Sequence, residues 1–62
     1  METIGEILRN KRLEKGLTLE DVSNLTKVRK KYLEALESGN YNEIPGKVYV
    51  KSFLKIYSDF LG

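Results

Sequence analysis

The stretch GLTLEDVSNLTKVRKKYLEALESGN, residues 16–40, decides the fold. Gly16 suits the left-handed stop of a preceding helix. Thr18 suits a helix N-cap, with Glu20 and Asp21 in the first turn, where the helix dipole favours acids. Leu17 before the cap and Val22 within the helix fit a hydrophobic staple. The pattern predicts a short helix over residues 19–25. Thr26-Lys27-Val28 is a tight connection. A second helix follows over 30–38, with Leu33 and Leu36 three apart and Tyr32 beside them, and Ser38-Gly39-Asn40 ends it. Two short helices joined by a few residues make a helix-turn-helix pattern.

The same reasoning extends outward. Thr3-x-x-Glu6 reads as a capping box, in which the threonine oxygen accepts from a free N–H and the glutamate reaches back. Ile4, Ile7 and Leu8 follow on one side, predicting a helix over 4–15. After Asn40 comes a polar loop, then Pro45-Gly46. Proline fits a first helical turn because its missing N–H has no partner there, so a last helix is expected over 47–61. No strand-like alternation is sustained. The expected architecture is all-α: a compact four-helix domain, with Ile4, Leu8, Leu19, Val22, Val28, Leu33, Leu36, Val50 and Leu54 in its core.

Composition narrows the function. The 62 residues suffice for one domain, and the chain has no cysteine and no histidine. Thiolate metal sites, the usual zinc sites and the usual catalytic triads are thereby excluded. There is no phosphate-binding glycine loop, so neither enzyme activity nor a cofactor is expected. No apolar run approaches the roughly 20 residues of a membrane span, and the N-terminus lacks a secretion signal. A net charge of +2 permits contact with nucleic acid or anionic lipid without arguing for either.

The last helix is unusual. Four of the six aromatics, Tyr49, Phe53, Tyr57 and Phe60, fall within it. At about 100° per residue its apolar arc is about 160° wide, wider than a core-facing stripe needs. Val50, Leu54 and Leu61 form an aliphatic edge suited to the core, as is Phe60. Tyr49, Phe53 and Ile56 lie toward the other edge. Lys47, Lys51 and Lys55 form a basic stripe beside the arc, either a solvated face or rim charges that steer a partner. An aromatic stripe at helical spacing is also what a core presents.

Gly16-Leu17-Thr18-Leu19-Glu20-Asp21-Val22-Ser23, continuing through Leu33-x-x-Leu36-Glu37-x-Gly39, resembles the phage-repressor-like helix-turn-helix superfamily. In that superfamily an arginine late in the first helix commonly pairs with a glutamate ending the third; Arg12 and Glu37 occupy those positions. YLEALESGNYNEIPGKVYVKSFLKIYSDFLG, residues 32–62, is more specific and resembles the cytoplasmic domain of the RodZ family of bacterial cell-shape proteins. The resemblance implies a domain that binds the bacterial actin MreB through its fourth helix, with no small-molecule substrate. The family's aromatic contacts align with Tyr49 and Phe53; Tyr57, one turn on, extends the set, with Lys47 and Lys51 as accompanying charges. It also implies that residues 1–62 are one domain of a longer single-pass protein, held at the cytoplasmic face of the inner membrane by a span beyond Gly62.

Two other readings stay open. Helix-turn-helix domains read DNA from the start of the third helix, where the candidates are Lys27, Arg29, Lys30, Lys31 and Tyr32, the first four basic and suited to phosphate contact. That helix has no Asn or Gln to read adenine, Ala35 stands where an amide is common, and Glu34 would repel phosphate. Arg29 also replaces the usual capping residue. The last reading is a membrane surface, since basic residues and aromatics on one helix can lie on lipid.

Overall fold

The computed structural model describes residues 2–62. Four α-helices pack around one core: α1 (Ile4–Glu14), α2 (Leu19–Thr26), α3 (Lys30–Ser38) and α4 (Lys47–Leu61). A 3₁₀ turn at Tyr41–Glu43 interrupts the loop before α4. No strand occurs among the described residues.

Local chemistry sets the helix starts. Thr3 and Glu6 form a reciprocal capping box: the Glu6 N–H donates to Thr3 Oγ1 at 3.2 Å, and the Thr3 N–H donates to Glu6 Oε1 at 2.8 Å. These bonds hold the Glu6 carboxyl below its usual pKa. Thr18 and Asp21 repeat the arrangement at α2, both bonds 3.0 Å. Arg29 begins α3 with no side-chain cap. Pro45 does not occupy the first turn of α4. Gly46 is the N-cap, with φ 103° and ψ 142°, a conformation that only glycine adopts readily.

The turn between α2 and α3 is three residues long. Lys27 takes a left-handed backbone, φ 66°, the only non-glycine to do so among the described residues. Thr26 braces it: its hydroxyl donates to the Val22 carbonyl at 2.7 Å and accepts from the Val28 N–H at 3.2 Å. Val28 is thereby drawn into the core.

Leu8, Val22, Val28, Leu33 and Leu36 are buried together, with Leu19, Val50 and Leu54 packed against them half-buried. Ala35, Ile44, Tyr57 and Leu61 complete this core. Ile4 is not part of it; it is 58% exposed. The inward face of α1 runs instead through Gly5, Leu8 and Arg12. Gly5 explains the rotation. A Cβ there would lie 2.2 Å from the Glu37 carbonyl oxygen and 2.6 Å from that of Leu36. The backbone of α1 therefore touches the end of α3, and Ile4 is turned toward solvent.

Gly5→Ala should force α1 off α3 and cost about 1–3 kcal/mol, as overpacking does. Ile4→Ala, at an exposed site, should stay within about 0.5 kcal/mol. Urea unfolding of both variants measures the contrast.

Candidate docking site on the fourth helix

The position of α4 is set by a buried polar triad. Arg12 Nε donates to Glu37 Oε2 at 2.8 Å, and Arg12 Nη2 donates to Oε1 at 3.1 Å. The third Arg12 contact is Nη1 to the Leu17 carbonyl at 2.9 Å, which ties the end of the α1–α2 connection to α1. The Tyr57 hydroxyl donates to Glu37 Oε2. One carboxylate thus joins α1, α3 and α4. The hydrogen bond to Glu37 raises the Arg12 pKa further above its usual value. Burial, then the bond to the Glu37 carboxylate, pushes the Tyr57 phenol well above its ordinary range. Tyr57 has no exposed surface. It is a core anchor and not a contact for a partner, correcting its placement in the candidate set; its ring fills the core while its polar tip reaches Glu37.

With Tyr57 turned inward, the helical period carries Phe53 and Tyr49 progressively outward. Phe53 is half-buried and Tyr49 is 53% exposed. Phe53 is the middle member of a row of rings. It stacks on Tyr32 of α3, with centroids 5.5 Å apart and planes at 19°. It also meets Tyr49 at 5.9 Å and 32°. Such pairs contribute about 0.5–1.5 kcal/mol beyond burial. The ammonium of Lys31 lies 5.4 Å from the Tyr32 centroid, within cation–π reach. Ile56, 40% exposed, extends the apolar surface along α4, while Phe60 is half-buried against the core.

The lysines of α4 do not join this row. Lys47 and Lys51 are each at least about 120° around the helix from Tyr49 and Phe53. They line a separate depression with Tyr41, Asn42, Ile44 and Val50. Lys55 pairs with Asp59 at 3.1 Å, both exposed. The aromatic and basic members of the candidate set therefore occupy two surfaces. On α3 and its approach, Lys27, Arg29, Lys30 and Lys31 are all exposed, as is Glu34 among them. Ala35 is buried. Tyr32 is the residue that sequence reasoning left out of the docking face. Its place beside Leu33 and Leu36 is legible in the sequence, but its partial exposure and its stacking partner Phe53, on another helix, are not.

A family model described as a helix-turn-helix domain matches residues 7–62. The chain belongs to this family, in its RodZ type. It is 50% identical over 46 residues to the membrane protein YmfM of Bacillus subtilis, covering 74% of this chain and 16% of that protein. It is 39% identical over 57 residues to the cytoskeleton protein RodZ of Streptococcus pneumoniae, covering 92% of this chain and 21% of that protein. The chain thus spans about a fifth or less of the length of these relatives. No solved structure matches it. No helix among the described residues is long and apolar enough to cross a membrane.

Tyr57→Phe should cost about 1–3 kcal/mol, because it withdraws a donor from a buried carboxylate. The pH dependence has a definite sign. The folded phenol holds its proton above the pH of about 10 at which an unfolded tyrosine ionises. Its contribution is therefore complete below pH 10 and is lost as pH rises beyond it. Thermal midpoints measured from pH 8 to 11.5 should fall more steeply above pH 10 in the native chain than in Tyr57→Phe.

Proposed function

We propose that this domain is a protein-docking module that connects the bacterial actin MreB to the inner membrane in cell-shape maintenance, with Tyr49 and Phe53 as its central contacts. The observation that carries the reading is the Tyr49–Phe53 pair. It is partly exposed and braced from behind by Tyr32, on a helix that Tyr57 fixes to the core. Ordered aromatics suit interface hot spots, because they cover large area with little rotamer entropy to lose. Membership in the RodZ type supports a cytoskeletal partner, as does the naming of the pneumococcal relative as a cytoskeleton protein. The naming of YmfM as a membrane protein supports attachment to a membrane. On this reading the domain binds and positions; it catalyses nothing and needs no cofactor.

A second reading keeps one observation in its favour. Four basic side chains are exposed around the start of α3, and duplex DNA would meet them. Salt separates the two: phosphate contacts weaken steeply with added salt, whereas aromatic-centred docking weakens little.

The test is the affinity of the chain for purified MreB filaments at about 50 and 300 mM salt, between which the Debye length falls from about 14 to about 6 Å. Tyr49→Ala should stay folded, with its midpoint lowered only by the lost ring contact with Phe53, and bind at least about tenfold more weakly. A folded Tyr49→Ala with native affinity would sink the proposal.

A further inference from the structure

The sequence places the basic start of α3 and the aromatic helix α4 in rival readings, one for nucleic acid and one for protein. In the structure they meet. Tyr32 carries Phe53 against its ring and Lys31 near it. Lys31 makes no ion pair within 4.0 Å among the described residues. Its ammonium is the cation that stands at the ring row, whereas Lys47 and Lys51 face the other side of α4.

We propose that the docking surface is composite, built from α3 and α4 together, and that Lys31 contacts a carboxylate on the partner while the exposed ring of Tyr49 enters an adjoining apolar depression. Tyr32 is a positioning residue: it holds Phe53 by stacking and Lys31 by cation–π attraction. This rests on the docking reading above and names the chemistry of the partner at that same site, a protein surface with an acidic group beside an apolar one.

Two features favour a protein over a single strand of nucleic acid. Base binding needs free ring faces as stacking platforms. The Tyr32 ring is half-buried and engaged by both Phe53 and Lys31, and Phe53 is engaged by two rings. Glu34, exposed one turn from Lys30, sets a negative charge on the same helix, where a phosphate chain would be repelled. A single carboxylate that meets Lys31 avoids that repulsion.

The experiment compares Lys31→Glu with Lys51→Glu. Both sites are exposed, and both variants change net charge equally, so general electrostatic attraction is the same in each. Binding to MreB filaments and to a random-sequence DNA duplex is measured beside Tyr49→Ala, with thermal melts for folding. Lys31→Glu should weaken filament binding about tenfold and Lys51→Glu less than about twofold, as local charge pairing requires. Equal weakening by the two would reduce Lys31 to long-range steering and overturn the composite surface. So would native filament affinity in Lys31→Glu while Tyr49→Ala loses binding; the docking reading then survives alone. If Tyr49→Ala also binds normally, both readings fall. Loss of duplex binding in Lys31→Glu, with filament affinity intact, would assign the residue to nucleic acid instead.

Discussion

One carboxylate organises this domain. Glu37 is buried, and a buried charge is tolerated only when it is paired and hydrogen-bonded. Arg12 supplies two donors from α1 and Tyr57 supplies one from α4. Each of these groups fixes a helix relative to α3. The triad does not have to add much net stability, since buried ion pairs often do little better than apolar replacements. Its larger effect is geometric. Any packing that rotates α1 breaks a buried ion pair, at about 3–5 kcal/mol, and one that rotates α4 leaves the Glu37 carboxylate short of a donor. The close approach of Gly5 to the Leu36 and Glu37 carbonyls belongs to the same constraint. Only a residue without Cβ lets α1 come near enough for the guanidinium to reach.

From that anchor the outer surface follows by helical geometry. With the Tyr57 hydroxyl on Glu37, Phe53 must lie at the margin between core and solvent, and Tyr49 must lie beyond it. Tyr32 meets Phe53 there because Leu33 and Leu36 hold α3 in the core. The ring row is therefore a consequence of core packing, pre-ordered before any partner arrives. Less side-chain entropy is lost on binding when the contact groups are already held.

Much of this architecture could be read from local chemistry. Thr3, Thr18, Gly39 and the Pro45-Gly46 pair mark helix ends through interactions within a few residues, and the observed bounds of α3 and α4 agree with the expected ones. What escaped was set by distant partners. The inward side of α1 was assigned to Ile4 because isoleucine is apolar; the actual side carries a glycine and an arginine, and Glu37, 25 positions away, is what admits the arginine. Tyr57 joins the docking candidates only as the next turn after the family's aromatic positions, and the spacing of one turn does not reveal that its hydroxyl has a buried carboxylate to reach. Ile44 is buried from within a polar loop, where one apolar residue has no periodicity to reveal it. The separation of Lys47 and Lys51 from Tyr49 was present in the helical angles themselves, but the width of the apolar arc obscured it.

The triad also bears on how the chain comes into being. Its last member, Tyr57, stands near the end of the final helix, and Leu61 beyond it is buried as well. During synthesis the first three helices emerge with Glu37 half-served and the core open on one side. The nascent chain cannot close until α4 has left the ribosome. Completion of this domain and presentation of the aromatic row are then a single event, and a domain that lacks α4 displays no row that a partner could capture.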